Sequence, residues 1–244
     1  MPAPKLQPCF VIHRRDYRNS SLLLELFTPD EGRLPAIARG AKSGRAGRAA
    51  LLQPFQPLLV GLSGRGEIKT LGQVEPEGRP FSLSGRLLYC GFYLNELLMR
   101  LLGRNDPHAD LFAHYLEALT ALAGGRPIAE TLRYFEIDLL RALGYGLILD
   151  HETVGGEPVL PDRAYDYLIE QGPVISAAQP ASGGVSGRTL LCLHNRAPMD
   201  QATATEAKGL MRRILAFYLG DKPLKSRELF RGVSYSAAPK KLGC

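Results

Sequence analysis

Apolar and polar residues in the first 80 positions form short runs typical of β-strands, separated by turn residues. The predicted strands are residues 10–12 (closed by the polar run 13–16), 21–28, 33–39, 58–63 and 67–74. In the turn Pro29-Asp30-Glu31-Gly32, proline presets φ and glycine accepts a positive φ. Gly64-Arg65-Gly66 predicts a second tight hairpin. Five short strands joined mainly by hairpins favour a small closed barrel of the OB type, with an SH3-like barrel as the nearest alternative.

From residue 83 the apolar residues recur with a helical period. The predicted helices are residues 83–103, 111–122, 132–143 and 204–219, with a short one at 223–230. Glycines end the first three of them, as expected for helix C-termini. A turn-rich stretch at about 150–197 contains four prolines. This order predicts the α+β class: a five-stranded OB-type β-barrel over residues 1–80, then a mostly α-helical domain over 81–244.

Composition and charge refine this picture. The 244 residues are 45% hydrophobic and 22% charged, as in globular proteins. The net charge of +6 is unevenly distributed, with +5 in residues 1–80, −2 in 81–150 and +3 in 151–244. A basic N-terminal module and a basic C-terminal region therefore flank an acidic, apolar helical core, which indicates an anionic partner for the two ends.

Several protein classes are excluded by the sequence. The apolar runs are too short for a membrane-spanning helix, and residues 1–10 lack the apolar stretch of a signal peptide, so we expect a cytoplasmic protein without membrane contact. The four cysteines contain no CxxC pair, and the five histidines are scattered. We therefore expect reduced thiols and no zinc site.

The most basic segment of the barrel is Arg39-Gly40-Ala41-Lys42-Ser43-Gly44-Arg45-Ala46-Gly47-Arg48, and no acidic residue lies between Gly32 and Gly66. Small residues between the cations let the backbone bend, so that several cations can reach successive phosphates. The predicted phosphate-tracking groove consists of Arg14, Arg15, Arg18, Arg33, Arg39, Lys42, Arg45, Arg48, Arg65 and Lys69. The alternative is a solvated surface loop. If about six phosphates of a single strand are neutralised, the salt slope should be roughly −4.

Two further observations concern nucleic-acid binding. Lys222, Lys225 and Arg227 form a second basic region, in a segment that Leu224, Leu229 and Phe230 are expected to anchor. Candidate aromatic residues for base stacking in the barrel are few, since the sequence contexts of Phe10, Phe27 and Phe55 predict core positions and leave Tyr17 as the exception. Poor stacking predicts sequence-tolerant binding.

No catalytic constellation is evident. The histidines form no HExxH motif and no triad order, and Glu136 and Asp138 lie on different faces of one predicted helix. We therefore predict that the protein is not an enzyme. The alternatives are a metal-dependent nuclease with ligands such as Glu67 and Asp138, or an RNA-binding OB-fold protein.

A set of short motifs resembles one known family when the motifs are taken in order. They are Ser21-Leu22-Leu23 with Phe27-Thr28, Arg39-Gly40-Ala41, Gln53-Pro54-Phe55, the segment 64–71, Tyr93-Leu94-Asn95-Glu96-Leu97-Leu98, Leu143-Gly144-Tyr145-Gly146 and the segment 222–230. Together they resemble the bacterial recombination mediator family RecO over nearly the whole chain. The resemblance implies an OB barrel, a helical domain and no enzymatic turnover. The implied activities are binding and annealing of single- and double-stranded DNA, and help in exchanging the single-stranded-DNA-binding protein SSB for RecA, with RecR as partner. The protein would then act in the cytoplasm, at the nucleoid.

Two site expectations follow from this resemblance. Many family members carry a four-cysteine zinc module in the turn-rich region, but only Cys192 lies between Gly144 and Ala204, so no metal or other cofactor is expected. Family members also dock the C-terminal tail of SSB on the helical domain, in an apolar slot rimmed by cations. The residues predicted to form that slot are Leu132, Arg133, Tyr134, Leu140 and Arg141. The alternative is that Arg133 is an ordinary surface residue.

Overall fold

The computed structural model describes residues 5–43, 47–176 and 184–228. Five strands form a closed barrel in the order β1-β2-β3-β5-β4, and β1 pairs with β4 to close it. The strands are β1 (Gln7–Tyr17), β2 (Ser21–Thr28), β3 (Gly32–Ala38), β4 (Leu58–Ser63) and β5 (Lys69–Pro76). All neighbouring pairs are antiparallel except β3 with β5. The predicted five-stranded OB-type barrel is confirmed.

The first strand is longer than the sequence predicted. The polar run 13–16 continues β1 instead of closing it, because the backbone of these residues pairs with Leu22–Glu25 of β2. Their side chains are exposed, so the hydrophobic pattern gave no sign of the strand. A short helix, α1 (Gly47–Leu51), also escaped prediction, since five residues are too few to show a helical period.

The side chains of β1 alternate between two hydrophobic cores. Cys9 and Val11 belong to the barrel interior, whereas Phe10 and Ile12 belong to the core of the helical domain. Successive side chains of a strand point to opposite faces, so one strand can serve both cores. The barrel therefore rests on the helices with an apolar outer face.

Aromatic rings fill the junction between the two domains. The ring centroid of Phe10 lies 5.1 Å from that of Tyr115 and 5.5 Å from that of Phe112, and Phe27 lies 5.4 Å from Phe112. The predicted core positions of Phe10 and Phe27 are thus confirmed. Their neighbours, however, are helical residues rather than the barrel interior.

Helices of the second domain agree with the predicted ones to within a few residues. They are α2 (Gly85–Leu101), α3 (Ala109–Ala123), α4 (Ile128–Ala142) and the last long helix, α6 (Gln201–Leu219). Gly91 of α2 lies against the ring of Phe55, where an added Cβ would come within 2.8 Å of the ring atoms. Position 91 therefore favours glycine, because any side chain there would collide with the Phe55 ring.

The turn-rich stretch contains regular structure that the sequence analysis missed. A three-stranded sheet has the order β7-β6-β8, formed by β6 (Ala164–Leu168), β7 (Gly172–Ile175) and β8 (Val185–Ser186). The nine-residue helix α5 (Gly187–Asn195) follows directly. Within the described ranges, no group of three His, Cys, Asp or Glu side chains is arranged to hold a metal ion. No helix in the same ranges is long and apolar enough to cross a membrane.

A carboxylate of α6 joins this helix to α5 and the small sheet. Glu206 accepts hydrogen bonds from the Ser186 hydroxyl (2.7 Å), the Ser186 backbone N–H (3.0 Å) and the Thr189 hydroxyl (2.7 Å). Burial would raise the pKa of Glu206, but these hydrogen bonds outweigh it and lower the pKa. Ser186 also caps α5 by accepting from the Thr189 N–H.

The Glu206→Gln variant should therefore be less stable at neutral pH by about 1 kcal/mol, because a partly exposed charged acceptor is lost. A carboxylate with a lowered folded pKa stabilises the fold above its unfolded pKa, and this contribution disappears as the pH falls through the folded value. The stability difference between wild type and variant should therefore shrink as the pH is lowered below about 4.5, the ordinary value for Glu. Urea unfolding at a series of pH values measures it. A difference that stays constant down to acidic pH would contradict the assigned role of the ionised carboxylate.

Candidate nucleic-acid interface

A row of aligned side chains crosses the outer face of the barrel. Strand pairing places Arg15 opposite Leu23, Leu23 opposite Ile37, and Ile37 opposite Thr70. Directly paired residues point to the same side of a sheet. Arg15 is exposed and Leu23 and Ile37 are half-buried, so this face presents apolar surface beside a cation.

The turn between β1 and β2 and the loop after β3 meet beside this row, at the end of the barrel where β1 and β3 finish. The Lys42 N–H donates to the Ser20 carbonyl at 3.0 Å, and the Lys42 ammonium lies 2.8 Å from the Asp16 carboxylate. Arg39 directly follows the last residue of β3, and the positive φ of Gly40 turns the chain after it. These contacts hold the basic loop against the barrel as far as Ser43.

Four exposed cations lie at this end of the barrel: Arg15, Arg18, Arg39 and Lys42. We call them the corner cluster. The Arg18 guanidinium lies 5.3 Å from the centre of the Tyr17 ring, which is itself half-buried. Only Lys42 of the four has an acidic partner among the described residues. The corner cluster thus offers several cations, an aromatic ring and adjacent apolar surface to an anionic polymer.

Two of the predicted phosphate-binding arginines instead hold α1 in place. The Arg14 guanidinium donates to the Ala49 carbonyl at 3.2 Å, and the Arg48 guanidinium donates to the Gly72 carbonyl at 2.7 Å. Arg48 is half-buried, whereas Arg14 remains exposed. Their main contacts are with the backbone of the barrel itself.

Two more of the predicted cations are engaged at the other end of the barrel. The Arg33 guanidinium donates to the Met99 carbonyl of α2 at 2.8 Å, and burial lowers its pKa while the nearby Glu25 opposes the shift. The Lys69 ammonium donates to the Gly64 carbonyl at 3.3 Å. The expectation that these two side chains line an open groove is therefore not met, because each is half-buried.

Of the two remaining predicted barrel residues, Arg65 lies apart from the corner cluster. The parallel pairing of Ala36 with Lys69 directs the β4–β5 hairpin, and exposed Arg65 in it, toward the start of β3, whereas Arg39 follows the end of β3. Arg45 lies outside the described residues.

The sequence analysis did not single out Leu23 and Ile37 as residues of the outer face. Three consecutive leucines, 22–24, break the alternation of β2, and this signal could have identified an apolar residue on its outer face.

The C-terminal segment is fixed on α2 by a carboxylate. Glu96 accepts hydrogen bonds from the backbone N–H groups of Lys225 and Ser226, both at 2.8 Å, and from the Ser226 hydroxyl at 2.6 Å. The Leu224 side chain is buried, as the sequence predicted. Leu229 and Phe230 lie outside the described residues.

The cations of this segment differ in exposure. Lys222 and Lys225 are exposed, whereas Arg227 is half-buried. The charge of Arg227 acts on the buried Tyr93 hydroxyl, where it opposes the effect of burial on the pKa. Lys222 and Lys225 are therefore the members of the predicted second basic region that face solvent.

The predicted docking residues on α4 do not form one slot. With about 100° of turn per residue, Tyr134 and Arg141 share one face of the helix, and Leu132, Arg133 and Leu140 lie on the other side. Leu140 is fully buried and Leu132 packs against the core. Tyr134 is half-buried and Arg141 is exposed.

Arg133 is inside the protein and is neither the rim cation nor the surface residue that the sequence analysis considered. Its guanidinium forms an ion pair with Glu136, whose carboxylate is fully buried and also accepts from the Tyr93 hydroxyl at 2.6 Å. Burial alone would lower the pKa of Arg133, but the Glu136 carboxylate outweighs it and raises the pKa. The arginine is thus a structural residue that neutralises Glu136, and the bond from Tyr93 to that carboxylate joins α2 to α4.

The open face of α4 carries a different site, in which arginines lie among carboxylates. The Arg196 guanidinium forms an ion pair with Asp138 and lies 5.5 Å from the centre of the Tyr134 ring. The Tyr134 hydroxyl donates to the Ala197 carbonyl at 2.6 Å, and burial raises the Tyr134 pKa to about 12. A cavity of about 80 Å³ lies here, and its lining includes these side chains and Arg126.

Comparison with known proteins gives a consistent result over the whole described chain. The family model "Recombination protein O N terminal" matches residues 3–78, and "Recombination protein O C terminal" matches residues 83–228. A "DNA repair protein RecO" from Methylococcus capsulatus is 52% identical over 229 residues, which is 94% of each chain. Proteins with the same name from Alkalilimnicola ehrlichii and Nitrosospira multiformis are 48% and 44% identical, over 93% and 92% of this chain and 90% and 94% of their own.

Proposed function

Because the chain belongs to the RecO family of DNA repair proteins, we propose that it anneals complementary DNA strands and helps RecA replace SSB on single-stranded DNA, together with RecR. Its membership in that family gives it a role in DNA repair. The names of its relatives carry no enzymatic activity, in agreement with the prediction that it is not an enzyme.

The corner cluster is the observation that carries the DNA-binding part of this proposal. Annealing brings two polyanions together, and exposed cations screen their repulsion without reading bases. Arg15, Arg18 and Arg39 are exposed and have no acidic partner among the described residues. Half-buried Leu23 and Ile37 supply apolar contact beside them. This arrangement suits single- and double-stranded DNA of any sequence.

The competing functions have less support. Asp138, one of the acids considered for a nuclease, is ion-paired with Arg196 and buried, while Glu67 lies in the exposed β4–β5 hairpin. An RNA-binding protein would use the same cations, but the printed names of the relatives refer to DNA repair.

We place the docking of the SSB tail on the open face of α4. An acidic, apolar tail needs cations beside a concave apolar surface. Arg126, Arg196 and Tyr134 line the cavity, and exposed Arg141 lies on the same face of α4 as Tyr134. The lining also contains three carboxylates, of which Asp138 is paired with Arg196 and Glu130 accepts from the Met199 N–H, while Glu117 is the third. Buried Arg133 would support this face from within through its pair with Glu136.

An annealing assay tests the proposal directly. Complementary strands coated with full-length SSB should anneal faster with the protein than without it, in the absence of nucleotide and metal. Coating with SSB that lacks its C-terminal tail should remove most of the acceleration, while bare strands should still anneal. No acceleration with either bare or coated strands would exclude the annealing function. Equal acceleration with tailless SSB would exclude the docking surface only.

A further inference from the structure

The cavity on the open face of α4 contains a histidine between two carboxylates. The His114 Nδ1 atom of α3 lies 3.6 Å from the Asp138 carboxylate of α4 and 3.7 Å from the Glu117 carboxylate on its own helix. The His114 side chain is 36% exposed, so it can exchange protons with solvent. A positive charge on this imidazole would therefore act on both carboxylates at once.

The other charged groups of the lining come from every element around His114. They are Glu117 of α3, Arg126 between α3 and α4, Glu130 and Asp138 of α4, and Arg196 at the end of α5. Three carboxylates thus face two guanidinium groups, so the lining carries a net charge of −1 while the imidazole is neutral. A protonated His114 balances these charges and removes the net repulsion of an anionic ligand.

Asp138 competes with any ligand carboxylate for Arg196. The Asp138 side chain is only 4% exposed and forms an ion pair with the Arg196 guanidinium, which also lies 5.5 Å from the centre of the Tyr134 ring. Exposed Arg141 lies 4.0 Å from the same carboxylate. Removing the close counter-ion of a buried carboxylate is costly, so Arg196 can turn to a ligand only if another cation takes its place. His114, at 3.6 Å from Asp138, is close enough to be that cation.

We propose that His114 couples docking of the SSB tail to the uptake of a proton. When the imidazole is protonated, it neutralises Asp138 and Glu117, and Arg196 then pairs with a carboxylate of the tail. His114 is a positioning residue in this scheme, because it acts through Asp138 on Arg196. The inference rests on the proposed function for the choice of the tail as ligand, and it adds the regulation of that site.

Linkage between ligand and proton fixes the direction of the effect. A bound carboxylate stabilises the charged imidazole, so the complex takes up a proton and docking becomes tighter as the pH falls. Histidine is the side chain that ordinarily changes charge between about pH 5 and pH 8, whereas aspartate, glutamate and arginine ordinarily titrate outside this range. Burial raises the pKa of Tyr134 to about 12, so its hydroxyl also keeps its proton here. Docking should therefore respond to pH through His114.

The pH profile of peptide binding tests this proposal. A peptide with the sequence of the SSB tail, labelled with a rhodamine whose emission does not depend on pH, is titrated with the full chain and followed by fluorescence anisotropy at constant ionic strength. Between about pH 5.5 and about pH 8, the affinity of the wild-type protein should fall about tenfold, which lies within the usual range of coupling between two sites. Calorimetry in two buffers of different ionisation enthalpy should show proton uptake on binding near neutral pH.

Two substitutions of His114 should fix the site in one state each. His114→Asn should bind the peptide weakly at every pH, because an amide carries no charge. His114→Lys should bind it tightly at every pH, since a lysine ordinarily stays charged over the whole range. The matched control is His194→Asn, which removes an exposed histidine outside the lining of the cavity and should keep the wild-type profile. A merely structural role of His114 would not give opposite results for the two variants.

The inference is overturned if the wild-type affinity does not change over this pH range, or if His114→Asn keeps the wild-type profile. Failure of the proposed docking surface looks different. Arg196→Ala should lose most of the peptide binding at both ends of the pH range, and tight binding by this variant would remove the docking surface and the inference together. Binding that needs Arg196 but does not depend on pH removes only the proton coupling.

Discussion

The Glu136→Ala variant should lose about 3–5 kcal/mol of its free energy of unfolding, since breaking a buried ion pair leaves its partner charged and unpaired. The Glu136 carboxylate is fully buried, and it is the acceptor for both Arg133 and the Tyr93 hydroxyl. Removing it leaves a buried guanidinium without its counter-charge. Urea unfolding followed by far-ultraviolet circular dichroism measures the loss.

Replacing all three of these buried polar side chains together should lower the free energy of unfolding far less. The triple variant Tyr93→Phe/Arg133→Met/Glu136→Leu should lie within about 2 kcal/mol of wild type, because no buried charge is left without a partner. The matched control is Arg141→Ala on the same helix. Arg141 is exposed and lies 4.0 Å from Asp138, so its loss should cost less than about 1 kcal/mol. A loss of under about 1 kcal/mol for Glu136→Ala would refute the structural role of the pair.

Arg15→Glu/Arg39→Glu/Lys42→Gln should weaken DNA binding about a hundredfold at low salt, to a similar degree for every base sequence. On single strands each neutralised phosphate contributes about 0.7 to the slope of log K against log salt. Losing three contacts should therefore lower the magnitude of the slope by about 2. Lys42 is changed to glutamine because a glutamate would face Asp16, its present partner. Fluorescence anisotropy with oligonucleotides of different sequence, at several salt concentrations, gives both quantities.

Arg48→Ala provides the control for this experiment. Arg48 carries the same charge as Arg39 and belongs to the same basic segment, but its guanidinium donates to the Leu71 and Gly72 carbonyls. Its loss should reduce stability by about 1 kcal/mol and change DNA affinity by no more than about threefold. If Arg48→Ala weakens binding as much as the triple variant does, while the protein stays folded, the corner cluster is not the main DNA site of the barrel.

The elements of the fold could be predicted because their signals are local. Alternation and turn residues indicated all five barrel strands, and the helical period indicated the four long helices. The small sheet and α5 were missed because strands of two to five residues among prolines carry little periodic signal. The continuation of β1 through residues 13–16 was missed because the exposed side chains there hide a paired backbone.

Which arginines face DNA could not be predicted, because their competing partners are distant in the chain. The acceptor of Arg14 is 35 residues away, that of Arg48 is 24 and that of Arg33 is 66. Only the folded barrel brings these carbonyls to the guanidinium groups. Composition identified a basic barrel correctly, and the tertiary contacts then divided its cations into internal and exposed ones.

The misassigned docking slot has another cause. Leu132, Arg133 and Tyr134 are adjacent in sequence, and adjacent residues of a helix do not share a face. Helical geometry alone separates Tyr134 from Leu132. The burial of Arg133 could not be predicted from the sequence. Its partner Glu136 is shared with the Tyr93 hydroxyl, which lies on another helix, 43 residues from Glu136 in the chain.

The aromatic junction between barrel and helices has a consequence for biosynthesis. Synthesis proceeds from the N-terminus, so Phe10 and Phe27 leave the ribosome roughly 85–105 residues before Phe112 and Tyr115, the residues that cover them. At about 5–20 residues per second, the outer face of the nascent barrel stays uncovered for roughly 4–20 s. During that interval the newborn domain displays the kind of apolar surface that chaperones bind, and it is shielded only once α3 has emerged.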